Sequence, residues 1–218
     1  MEPIIQLQER RPYVAPEYVL QAHKERKKAI RERLREFTAV PPSQWFYEFC
    51  FCLCTPQSKA TSAFAVAEKL QQQRFLEQEF DPTSLLRNPE HYIRFHNTKA
   101  RNLLNLRTLF PSIDAMLRST TSAVEARAYL VEHVRGMGMK EASHVLRNIG
   151  YRGIAIIDRH ILTHMVQCGI IADDAFPSSQ KKYLEIEAKW LHFASDIRID
   201  PDELDLVFWS LQTGEILK

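Results

Sequence analysis

A lysine and an aspartate eighteen residues apart carry the strongest chemical signal in this 218-residue chain. Lys140 closes GMGMK (136–140), and Asp158 sits in IDRH (157–160). A neutral primary amine attacks an electrophilic carbon and can go on to form an imine. A fixed carboxylate beside it stabilises developing positive charge and moves protons. Each residue also has an ordinary reading. Lys140 fits a solvated lysine in the first turn of a helix, and Asp158 fits the N-cap of the helix RHILTHMV. The two readings of Asp158 are compatible, because a capping carboxylate is well fixed in space.

The elements around the pair must bring it together. A helix from Lys140 to Ile149 rises about 15 Å at about 1.5 Å per residue. The segment from Gly150 to Ile157 spans up to about 25 Å when extended, enough to return Asp158 to Lys140. The rest of the chain reads as helices with short breaks. Val19, Ala22, Ile30, Leu34 and Phe37 recur at helical spacing over 16–38, opposite a charged face. Pro41 and Pro42 stop that helix, with Ser43 as the expected cap of the apolar WFYEFCFCLC. Further helices are expected from near Ser58, around Asp81-Pro82 and Asn88-Pro89, over Thr98 to Phe110, over Ser122 to Arg135, over 178–195, and from Pro201 onward. No alternation lasts long enough for a sheet; IAII (154–157) is at most a short extended piece. The fold class is all-α.

Composition excludes more than it selects. With 45% hydrophobic and 26% charged residues, the chain has ordinary globular composition and can bury a core. No apolar run approaches a membrane span, and MEPIIQLQERRPY does not resemble a secretory signal. Cys50, Cys52, Cys54 and Cys168 do not form a secreted disulfide framework, so a reducing cytoplasm is expected. A net charge of +2 announces no nucleic-acid binder. The basic run at 23–36 is broken by glutamates and reads as a solvated helix face.

Gly136 and Gly138 lie between two helical patterns, where glycine permits positive φ and close backbone approach. The helix opening near Met139 offers free amides and a positive dipole end, a natural seat for a phosphate. The plain alternative is an αα-hairpin used for packing.

GMGMK followed by IDRH resembles the signature of the helix-hairpin-helix DNA glycosylases. More closely, MKEASHVLRNIGY, AIIDRHIL and the terminal WSLQTGEILK resemble the archaeal and bacterial second subfamily of 8-oxoguanine DNA glycosylases. CFCLCTPQSKA (50–60) and RFHNTKAR (94–101) extend the likeness more loosely. The resemblance implies one domain over 1–218, built as two closely packed helical subdomains around an active-site cleft, with the hairpin motif at about 122–150. It implies a bifunctional enzyme of base excision repair that removes 8-oxoguanine from duplex DNA. Lys140 would form a Schiff base with the opened sugar, Asp158 would assist, and β-elimination would nick the strand.

The same resemblance assigns the remaining site. Gly136, Met137 and Gly138 would hold DNA phosphate at the hairpin, and His160 would contact a phosphate near the extruded nucleotide. Gln57 would enter the space left by the flipped base. Phe95 and Trp209 would sandwich that base, while Lys218 and its carboxylate read it. His96 stands where a tyrosine is more usual. Without the resemblance, Phe95 and Trp209 read as core aromatics, and Lys218 as a frayed terminus.

No iron–sulfur cluster is expected, because the only cysteine in the C-terminal part is Cys168; the other three read as buried small hydrophobes. The resemblance leaves room for a structural monovalent cation on the hairpin carbonyls. It also implies a monomer in the cytoplasm, associated with the nucleoid, with no membrane partner. Two other readings stay open: the same fold acting on another damaged or mismatched base, and a non-catalytic hairpin module that only binds DNA.

Overall fold

The structure, a computed structural model, describes residues 11–216, so Lys218 lies outside the described residues. Ten α-helices follow one another, with no strand among the described residues. They are α1 (Glu17–Thr38), α2 (Pro42–Cys54), α3 (Ala60–Gln72), α4 (Thr83–Arg87), α5 (His96–Ser119), α6 (Ala123–His133), α7 (Met139–Asn148), α8 (Arg159–Gln167), α9 (Gln180–Asp196) and α10 (Pro201–Thr213). A single 3-10 turn, Pro89–His91, precedes α5.

The apolar side chains gather in two clusters. The first takes its residues from α2 through α7 and ends at Ile154. The second begins at Ala155, continues through α8 to α10, and includes α1 from the other end of the chain. The five apolar residues singled out on α1 are its buried face. α2 runs through the first cluster with nearly every side chain from Phe46 to Cys54 buried. A helix buried all round explains how Cys50, Cys52 and Cys54 are all enclosed although they point in different directions. Burial pushes the Cys54 thiol up to about 12 and the other two well above their usual range, so these sulfurs stay protonated.

Two local expectations need correction. Ser43 is not the cap of α2: the helix starts at Pro42, where the missing N–H of proline costs nothing, and Pro41 stands before it. α5 does not stop at Phe110 but continues through Pro111 to Ser119. Proline in a helix forfeits a hydrogen bond, yet Ile113 and Leu117 beyond it are buried in the first cluster. Their burial outweighs the local defect.

The hairpin joins α6 to α7, and glycine is needed there at one position. Gly136 has φ +83°, and a Cβ on it would collide with the side-chain amide of Asn102. Past α7 the chain runs extended and buried through 154–157, crossing from the first cluster to the second just before Asp158.

Candidate active site

A cleft of about 820 Å³ opens between the two clusters. One side comes from α2 and the Thr55–Ser58 loop; the other comes from the 156–160 turn, the 176–180 loop and α10. α7 lies between them.

Lys140 occupies the second position of α7, and its side chain is about one-quarter exposed. Its Nζ lies 3.9 Å from Glu141 Oε1, while Glu141 Oε2 accepts the Gly138 N–H at 3.3 Å. Glu141 therefore ties the amine to the hairpin. Residues three or four apart share a helix face, so Lys140, His144 and Arg147 form a stripe on α7, and all three line the cleft. Asp158 caps α8, with Oδ1 accepting the Ile161 N–H at 2.9 Å. It lines the same cleft, so the two residues of the motif meet in one cavity. His160 stands edge-on to Trp209, with ring centroids 5.1 Å apart. The Trp209 indole N–H is buried and meets no acceptor among the described residues.

The turn carrying Asp158 is held from below by buried side chains. Arg127 of α6 makes a forked ion pair with Glu187 of α9, at 2.6 and 2.7 Å, and donates to Ser143 Oγ at 3.1 Å. Glu187 Oε1 accepts the Ala155 N–H at 2.7 Å. Tyr183 Oη accepts the Ile157 N–H at 3.0 Å and donates to the Ala155 carbonyl at 2.8 Å. Extended backbone in a helical protein has no neighbouring strand, so side chains must satisfy these groups. The network connects the first helix of the hairpin to the segment that delivers Asp158.

The Gln57 loop has its own support. Gln57 is exposed with φ +54°. Beneath it, buried Lys99 donates to the carbonyls of Cys54 and Pro56 at 2.7 and 2.6 Å, and to Ser58 Oγ at 3.3 Å. Burial brings the Lys99 ammonium down to about 8.

These features agree with comparisons to known proteins. The family model described as 8-oxoguanine DNA glycosylase matches residues 30–199. The chain belongs to that family. It is 33% identical to the 8-oxoguanine DNA glycosylase/AP lyase of Methanocaldococcus jannaschii, over 88% of this chain and 93% of the relative. It is 35% identical to the protein of the same description from Metallosphaera sedula, over 87% and 93%. The crystal structure of the M. jannaschii glycosylase/lyase with a 15mer DNA containing 8-oxoguanine superposes with a TM-score of 0.82 at 32% identity, covering 92% of this chain and 98% of that one. The Thermotoga maritima 8-oxoguanine DNA glycosylase gives a TM-score of 0.80 at 26% identity, covering 92% and 96%.

Within this glycosylase fold, the residues expected from the motif divide into two groups. Lys140, Asp158, His160, Gln57 and Trp209 all line the cleft. Phe95 does not. It is the left-handed residue that turns the chain into α5, half exposed, with the Arg94 guanidinium 5.0 Å from its ring. At the hairpin, the Met137 side chain is buried in the first cluster, and its N–H is held by the Val134 carbonyl. Gly138 has φ −93° and is the N-cap of α7 without a left-handed turn. A cation at the hairpin would depend on backbone carbonyls, and that of Val134 already accepts the Met137 N–H at 3.1 Å.

Several cleft residues were not singled out in the sequence. Phe176, on the 176–180 loop, is a half-exposed aromatic with the Arg159 guanidinium 5.6 Å from its ring. Asp205 of α10 accepts from Arg147 Nη1 at 2.9 Å. Burial pushes its carboxyl up to about 7 against the opposing charge of Arg147. The available signal was spacing: Asp205 stands four residues before Trp209, on the same face of α10.

Proposed function

We propose that this chain is a bifunctional DNA glycosylase/AP lyase that removes 8-oxoguanine from duplex DNA and then nicks the strand. The observation that carries the reading is Lys140 at the start of α7, opening into one cleft with Asp158 and Trp209, in a chain of this family.

The chemistry follows from the groups present. The first turn of α7 receives a backbone phosphate on its opening amides, without needing a lysine-rich surface. A base must leave the stack before any side chain reaches its sugar, and a cleft of about 820 Å³ has room for a nucleotide. Trp209 supplies a flat face for the base, and Gln57 projects from its supported loop toward the space left behind. Lys140 attacks the anomeric carbon, Asp158 stabilises the positive charge that develops on the sugar, and the resulting amine proceeds to a Schiff base. β-Elimination from that imine breaks the strand. Lys218 and its carboxylate would complete base recognition.

A DNA-binding module with no activity would need neither Lys140 nor Asp158. No described helix is long and apolar enough to cross a membrane, and we assign the enzyme to the cytoplasm as a monomer. Borohydride reduction in the presence of duplex carrying 8-oxoguanine tests the reading. A covalent protein–DNA adduct is expected with the native chain and absent with Lys140→Gln; an adduct that survives the substitution would overturn the assignment.

A further inference from the structure

The cleft contains a second aspartate that the chemistry above leaves without a task. Asp205 projects from α10 with its side chain 14% exposed, next to an Arg147 that is 4% exposed. It lines the cleft with Lys140 and Asp158, one helical turn before the tryptophan assigned to the base. The two carboxyls differ in surroundings. Asp158 has an oxygen committed to a backbone N–H at the mouth of α8, whereas Asp205 is half-buried at the side of a helix, against Arg147.

Resting on the function proposed above, we propose that Asp205 is the acid that protonates the departing base and then recovers a proton from Lys140. As the Lys140 Nζ–C1′ bond forms, the bond from C1′ to the base breaks, and its electron pair leaves with the base. The Asp205 carboxyl proton passes to the base, which departs neutral. The Asp205 carboxylate then takes one proton from the new secondary ammonium on Lys140. Asp205 returns to its starting state, and the step consumes no outside acid.

A group that both gives and takes a proton works best near the ambient pH. Asp205 sits at about 7. The charged groups that bear on it are Arg147 and Lys140 on α7, Asp158 before α8, and Asp202 on its own helix. From α8 and α7, His160 and His144 line the same cavity. On α1, His23 and Arg31 are engaged by Glu203 at 2.7 and 2.5 Å. Two carboxyls held in unlike environments commonly divide acid and base work between them.

The test compares two substrates. A duplex with 8-oxoguanine needs its base protonated on departure; a duplex with a preformed abasic site has no base to lose and still meets Lys140. Asp205→Asn keeps an acceptor for Arg147 while removing the acid. Single-turnover base excision should fall roughly 100-fold, with cleavage at the abasic site changed by no more than about threefold. The native decline in excision above about pH 7 should vanish in the variant. Asp205→Glu, which restores an acid, should recover part of the rate. Equal losses on both substrates, or native excision with its alkaline decline intact, would overturn the proposal. A native protein inactive on both substrates would overturn the parent reading; native activity with an indifferent Asp205→Asn overturns this one alone.

Discussion

Two groups of residues around the cleft are held differently. Lys140 and Asp158, proposed for the chemistry, sit at helix starts, and buried side chains brace the backbone that leads to Asp158. Gln57 and Phe176, on loops from opposite sides of the cleft, stand exposed, and Phe95 marks a left-handed turn outside the cavity. Bond-making atoms must be placed within a fraction of an ångström. A surface that receives a flexible, flipped nucleotide gains from side chains that can adjust. The contrast teaches that the better-braced residues are those proposed for the covalent step.

The sharpest way to break the comparison is Lys140→Gln. Excision and covalent trapping should fall to background while DNA binding stays within a fewfold of native, measured by gel shift. Loss of binding would make Lys140 a phosphate contact instead. Asp158→Asn comes next. Asparagine caps helices about as well as aspartate, so the melting temperature should hold while single-turnover excision drops roughly 10²–10³-fold. A collapsed melting temperature with intact activity per folded molecule would reduce Asp158 to a cap.

For the residues proposed to meet the base, the effects should be smaller and selective. Trp209→Ala should weaken handling of the damaged base by about 1–3 kcal/mol, the usual worth of base stacking, and spare an abasic substrate. Phe95→Ala should change excision less than Trp209→Ala, since Phe95 is outside the cleft lining; the reverse order would show that the ring swings in. Gln57→Ala should cost only a fewfold in excision.

A separate effect concerns stability rather than activity. Asp202 is buried against the Gly153 N–H, and burial raises its carboxyl to about 6. A carboxyl raised in the folded state favours folding below its unfolded value near 3.8, and that contribution is lost as pH rises to about 6. Asp202→Asn should therefore stabilise the protein more at pH 8 than at pH 4, by up to roughly 3 kcal/mol, read as a larger rise in melting temperature at the higher pH. Equal shifts at both pH values would show that Asp202 does not titrate there.

What the sequence disclosed follows the same division. That Lys140 and Asp158 would line one cleft was legible because it depends on one short helix and one return segment, both local in the chain. The α1 stripe was legible because burial on a helix repeats at a fixed period. Asp205 was hidden because its partner Arg147 lies 58 residues away. Tyr183 and Glu187 looked like ordinary members of an amphipathic helix until the structure placed them under 155–157. Lys99 resembled any other lysine, since nothing local shows it enclosed beneath the Gln57 loop. The left-handed backbone of Phe95 was not legible, because it is a property of the turn into α5 and not of the residue type.

The packing of α1 against α10 bears on how the molecule is born. Translation delivers α1 more than 160 residues before α10 begins. The stretch from α2 to α7 can bury its cluster while synthesis continues, because its members are contiguous. α1 cannot, and its apolar stripe of Val19, Ile30, Leu34 and Phe37 must wait for helices still on the ribosome. During that interval it is a candidate for chaperone capture. Lys24, Lys27 and Lys28 on the same helix keep the waiting segment charged and apart from other copies of itself. The run that the sequence offers as a plain solvated face thus has a use before any DNA is met.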